Sequence, residues 1–133
     1  MSLNPQLLAS TKEHNTFFYW CNDIDKMRHF YSELLGLEET YYQNDSERGW
    51  YSCLAENIQL VCVRAGLPLP VRESWEQPID DENSPTWQIK LPMETLLTAL
   101  NRLKTAGVQS IKSQDNTIIV FDPMGSPIQL QAA

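Results

Sequence analysis

The sequence predicts an α+β fold built from two units of one plan: strand, helix, strand, strand, strand. Three observations carry this prediction. A β-branched and aromatic run, Thr16-Phe17-Phe18-Tyr19-Trp20, precedes an amphipathic helical stripe and three further apolar runs. The same order of elements recurs after residue 84. Between the two lies a stretch, residues 65–83, holding Pro68, Pro70 and Pro78 among acidic side chains, a composition that resists regular structure.

Each element has its own local cause. The first run has the composition of a pleated, largely buried surface, so residues 15–21 form the first strand. Asp23 and Asp25 offer capping carboxylates, and Met27, Phe30, Tyr31, Leu34 and Leu35 repeat at helical spacing until Gly36 supplies a stop. Residues 39–43, 49–55 and 57–64 are apolar runs separated by the polar turns Asn44-Asp45-Ser46 and Glu56-Asn57, which gives three more strands. In the second unit, residues 86–91 are strand-like. Met93, Leu96, Leu97, Leu100 and Leu103 then form a helical stripe ended by Gly107, with Arg102 and Lys104 placed to suit the dipole at its C-terminus. Residues 108–112, 117–122 and 127–131 supply the last three strands, joined by Gln114-Asp115-Asn116 and Asp122-Pro123-Met124-Gly125. With 133 residues the chain is long enough for one well-cored domain, read here as residues 1–133 with units at about 15–64 and 84–131.

Composition narrows the function. Ten basic against seventeen acidic residues give a net charge of −7, which repels phosphate backbones and anionic membranes, so neither nucleic acid nor membrane is an expected partner. No apolar stretch approaches the length of a bilayer span, and the N-terminus has no basic segment followed by an apolar run, so the expected compartment is the cytoplasm. Cys21, Cys53 and Cys62 lie in apolar or aromatic runs without CxxC spacing or neighbouring histidines, and read as buried free thiols. No Ser/His/Asp set, glycine-rich phosphate loop or pair of catalytic carboxylates can be assembled, so catalytic residues are not assigned.

Two segments carry a family resemblance. The first runs from Trp20-Cys21-Asn22-Asp23 through Phe30-Tyr31 to Leu35-Gly36-Leu37, and the second is Phe121-Asp122-Pro123-Met124-Gly125-Ser126-Pro127-Ile128-Gln129-Leu130. Both resemble signatures of the vicinal oxygen chelate superfamily, which includes glyoxalase I, bleomycin-resistance proteins and extradiol dioxygenases. The first is similar to its aspartate-led helix with a Phe-Tyr pair, the second to its Asp-Pro-Asp-Gly turn. The resemblance implies two βαβββ units curved into a half-open mixed sheet around a central cleft, and a homodimer.

In metal-dependent members, histidine and glutamate or glutamine occupy set strand positions facing the cleft. Carried over by the motifs, those positions are Thr16, Gln59, Thr86 and Gln129. Four neutral groups, none anionic and none an imidazole, compensate the dehydration of a transition metal poorly, so no metal or other cofactor is expected. His14 lies two residues before Thr16 and shares its face by strand alternation, but without a second histidine or carboxylate at matching positions it reads as an exposed strand end. His29 lies off the helical stripe and is expected in solvent.

Alternation also defines the rest of the cleft. Thr16, Phe18 and Trp20 share one face, as do Gln59, Val61 and Val63, and Thr86, Gln88 and Lys90, with Gln129 on the last strand. The opposite set, including Phe17, Tyr19, Cys21, Ile58, Leu60, Trp87 and Ile89, is uniformly apolar or aromatic, as expected where sheet meets helix. Lys90 is the one cation on the proposed cleft face and could meet a ligand carboxylate. Trp50 and Trp75 read as a cleft cover and a lid, or as ordinary hydrophobic anchors, and the cluster Glu73, Glu76, Asp80, Asp81 and Glu82 reads as a solvated loop, the other reading being a group that attracts a cationic ligand.

Aromatic walls with neutral amides and hydroxyls suit a small organic ligand with a flat or greasy body, so the leading expectation is a glyoxalase/bleomycin-resistance-like binding protein, protective or sequestering. The alternative is a metal-dependent lyase, isomerase or dioxygenase with atypical ligands. A third reading is an interaction module whose cleft is filled by its own aromatics.

Overall fold

The computed structural model describes residues 15–71, 87–112 and 117–133. In chain order the elements are β1 (Asn15–Cys21), α1 (Ile24–Arg28) continued by a π-helical segment (His29–Leu34), β2 (Glu38–Asn44), β3 (Gly49–Leu54) and β4 (Ile58–Arg64). The second unit has β5 (Trp87–Leu91), α2 (Met93–Thr105), β6 (Ser110–Lys112), β7 (Ile118–Phe121) and β8 (Pro127–Ala132). Thus the βαβββ plan occurs twice, as the apolar pattern predicts.

Each unit folds into a four-stranded mixed sheet, ordered β1-β4-β3-β2 in the first and β5-β8-β7-β6 in the second. The outer pairs β1–β4 and β5–β8 are parallel, because a helix crosses over between the first strand and its partner. The remaining pairs are antiparallel. No ladder joins the two sheets among the described residues. At one edge, the Asn57 side-chain amide donates to Gln88 O at 2.7 Å and accepts from Lys90 N at 3.0 Å, satisfying backbone groups of β5.

The first helix departs from the single α-helix that its spacing predicts. Asp23 caps it as expected, its carboxylate accepting from Lys26 N at 3.2 Å, but the helix widens from His29 onward and Leu35 N bonds to Phe30 O. The wider turn buries the consecutive aromatics Phe30 and Tyr31 together with Leu34. Gly36, at φ 82°, then reverses the chain. Arg102 of α2 reaches across to this end: its Nη1 donates to Glu33 O at 2.9 Å. The sequence pattern places that cation for its own helix, whereas the fold uses it to satisfy a carbonyl of the other unit's helix.

One hydrophobic cluster runs through both units, from Cys21, Met27 and Tyr31 to Ile89, Leu103 and Ile128. All three cysteines are free and buried within it. Burial, first of all, pushes the Cys21 thiol up to about 11 and the Cys53 thiol up to about 12, and raises Cys62 as well. Among the described residues no helix is long and apolar enough to cross a membrane.

Candidate functional site

Strand alternation divides each sheet into a helix side and an open side. On the helix side, Cys21, Ile58, Leu60, Cys62, Ile89 and Leu91 are buried. Trp87 belongs to this side, with its ring 5.7 Å from Phe17 and 4.8 Å from Tyr19. Because Trp87 packs with the helix-side residues of β1, alternation puts Gln88 and Lys90 on the same open side as Thr16, Phe18 and Trp20.

The register builds rows across the open face of the first sheet. Trp20 stands opposite Val63, which pairs with Trp50, which pairs with Gln43. Phe18 stands opposite Val61, which pairs with Ser52 and then Tyr41. Thr16 stands opposite Gln59, which pairs with Leu54. Phe18 and Trp20 are 69% and 60% exposed, which is unusual for aromatic rings of that size on a sheet. Val61 is buried between its neighbours and forms floor rather than contact surface.

The polar groups of this face are held in pairs. Thr16 Oγ1 donates to Gln59 Oε1 at 3.4 Å, and Gln88 Nε2 donates to Gln129 Oε1 at 3.3 Å. Both bonds are long and therefore weak. In register, Gln129 stands between Gln88 of β5 and Ile119 of β7. Thr86, His14, Trp75 and the acidic cluster of residues 73–82 lie outside the described residues. Lys90 is exposed and lines a cavity of about 380 Å³ with Leu37, Glu38, Leu54 and Thr95. His29 is exposed and bonds to Glu33 one turn along its helix.

Thr16, Gln59 and Gln129 offer only neutral hydroxyl and amide oxygens. No anion stands among them to offset the dehydration of a divalent cation, so this set does not fit a transition metal. Among the described residues no group of three His, Cys, Asp or Glu side chains is placed to hold one.

Ser52 and Leu54 extend the face beyond the residues singled out from the sequence, and Trp50, read there as a cleft cover or an ordinary anchor, stands in the same strand beside them. The Trp50 ring meets Phe18 edge-on at 6.4 Å and 80°, and its Nε1 donates to Ser52 Oγ at 3.0 Å. The alternation of Trp50, Ser52 and Leu54 within β3 was the available signal, but it gains meaning only once β3 is registered against β4.

The second signature segment serves the fold. Asp122 is buried, and its carboxylate accepts from Tyr31 Oη at 2.7 Å, Tyr19 Oη at 3.2 Å, Met124 N at 2.9 Å and Ser126 N at 3.0 Å. Burial raises its pKa from the ordinary carboxylate value, against the opposing pull of those donors. Burial and then the Asp122 charge likewise push the Tyr19 and Tyr31 phenols up.

With this geometry in view, the family comparison is decisive. A model described as Glyoxalase/Bleomycin resistance protein/Dioxygenase superfamily matches residues 17–120. The chain belongs to that superfamily. Solved structures agree in fold. A glyoxalase family protein from Bacillus anthracis superposes with TM-score 0.64 at 15% identity, covering 92% of this chain and 95% of that one. A glyoxylase/bleomycin resistance protein/dioxygenase domain from Frankia sp. EAN1pec gives 0.63 at 15% identity, covering 92% of each chain. The fosfomycin resistance protein FosX from Listeria monocytogenes gives 0.59 at 16% identity, covering 93% and 92%. No curated protein matches the chain in sequence. At these identities the structures share the superfamily fold, and function has to be argued from this chain's own residues.

Proposed function

We propose that the protein binds a small organic molecule on the open face between its two sheets, without a metal ion, and acts by sequestering or protecting rather than by metal-dependent catalysis. The observation that carries this reading is the chemistry of Thr16, Gln59 and Gln129, the described members of the ligand set that the family resemblance implies. Thr16 is bonded to Gln59 and Gln129 to Gln88, so each is a neutral group already paired with a neutral neighbour. Exposed Phe18 and Trp20 on the same face supply apolar contact area, and the amides supply hydrogen-bonding edges. In this reading the protein works in the cytoplasm as a homodimer, and nothing in its net charge of −7 favours nucleic acid or membrane as a partner.

A thermal-shift screen of aromatic and cationic compounds, run in parallel with and without EDTA, tests the proposal. Stabilisation by a compound that is identical in the two conditions is expected. Stabilisation that disappears with EDTA and returns with a divalent ion overturns the reading.

A further inference from the structure

We infer that the protein carries a second small-molecule site, for an alkyl monocarboxylate, in the cavity between α2 and the strands β6 and β7. This cavity of about 520 Å³ is large enough to enclose most of a small ligand. Val120 on its floor pairs with Ile128, which pairs with Trp87, so the cavity lies on the helix side of the second sheet, away from the open face proposed above.

Its walls are apolar. Leu103 and Val120 are buried, and Leu100, Val108 and Ile118 are half-buried around them. Past the cavity, Leu97 and Met93 follow Leu100 at helical spacing, and both are more than half exposed. Apolar contact therefore continues along α2 for about 10 Å, which suits an elongated tail, and covering these side chains removes their apolar area from water.

The mouth is cationic. Lys104 is the one charged residue of the described lining, and no carboxylate among the described residues pairs with it. Its ammonium is not taken up in capping α2 either: the carbonyls of Arg102, Leu103 and Lys104 accept from the backbone N–H groups of Ala106, Val108 and Gly107 at 2.9, 2.9 and 3.1 Å. Those bonds also blunt the negative end of the helix dipole beside the mouth. Ser110 of β6 adds a hydroxyl donor. The local sequence has the same bias, since residues 95–114 include the basic residues Arg102, Lys104 and Lys112 and no acidic one, in a chain with seventeen acidic and ten basic residues overall. A carboxylate held here meets a free cation, whereas an ammonium group meets like charge.

Methyl-resolved NMR titration of the full chain with octanoate and with octylammonium, each below its micelle-forming concentration, tests the inference. Lys104→Glu is the variant, chosen because Lys104 is exposed, and circular dichroism checks its fold. Octanoate is expected to shift the methyl signals of Leu100, Ile118 and Val120 and to bind about tenfold tighter than octylammonium, a preference that disappears or reverses in Lys104→Glu. Binding of neither probe, equal binding of both, or a preference that survives Lys104→Glu overturns the inference. Concentration-dependent shifts of the α2 methyls without any probe also overturn it, because the stripe is then covered by a second copy. Octanoate that shifts Val61 and Val63 instead overturns this site and leaves the open-face reading standing.

Discussion

Tyr31, in the π-helical turn of the first unit, donates its hydroxyl to the buried Asp122 of the second at 2.7 Å, across 91 residues of sequence. This one bond joins the Phe-Tyr pair of one signature segment to the Asp-Pro turn of the other. Tyr19 reaches the same carboxylate from β1. The two signatures are therefore halves of a single buried contact between units, on the opposite side of the sheets from the proposed cleft.

Replacing Tyr31 with Phe removes one donor from a buried carboxylate while keeping the ring. The expected cost is about 1–3 kcal/mol, read from the urea midpoint at neutral pH. Binding of a cleft ligand should be unchanged, since Tyr31 lies on the helix side.

Asn57→Ala should cost about 1–2 kcal/mol, because it deletes the two bonds that its side chain makes to the β5 edge. Hydrogen exchange is the measurement of choice. Faster exchange at Lys90 N, with Ile58–Arg64 unaffected, is the expected pattern.

The buried thiols should be nearly inert. At pH 8, labelling of Cys21 and Cys53 with a thiol reagent should be at least about a hundredfold slower in the folded chain than in the unfolded one. Raised folded-state values also fix a sign: between the ordinary thiol range and about 11 to 12, the unfolded chain has released protons that the folded chain retains. Stability present in full below that window is therefore lost as pH rises through it, and urea midpoints measured from pH 8 to 11 should fall steadily.

Adding metal donors to this face should create metal affinity. Thr16 and Gln59 face each other at 3.4 Å, so the double variant Thr16→His/Gln59→Glu places an imidazole and a carboxylate side by side. Zinc or nickel affinity should rise by about tenfold or more over the parent chain, measured by competition with a metal indicator.

Much of this was legible in the sequence because local signals agreed with one another. Asp23, Gly36, Gly107 and the Asp122-Pro123-Met124-Gly125 turn mark the element ends where the structure has them, and strict alternation in β5 separates buried Trp87 and Ile89 from exposed Gln88 and Lys90. What stayed hidden depends on distant pairing. The widened turn at His29–Leu34 has no pattern of its own, since it answers to the burial of Phe30 and Tyr31 together. The capping of one helix by Arg102 of the other, and the place of Trp50 beside Phe18, exist only after the strands are registered. Likewise, no periodicity shows that Asn57 would bond to the β5 edge.

Elemental analysis tests the central claim most directly: protein purified without chelator or added metal is assayed, then titrated with zinc, nickel, iron(II) and manganese(II). The account predicts metal well below one ion per chain as isolated and no saturable site on titration. One equivalent of any of these ions, lost together with its affinity in Gln59→Ala or Gln129→Ala, would contradict it.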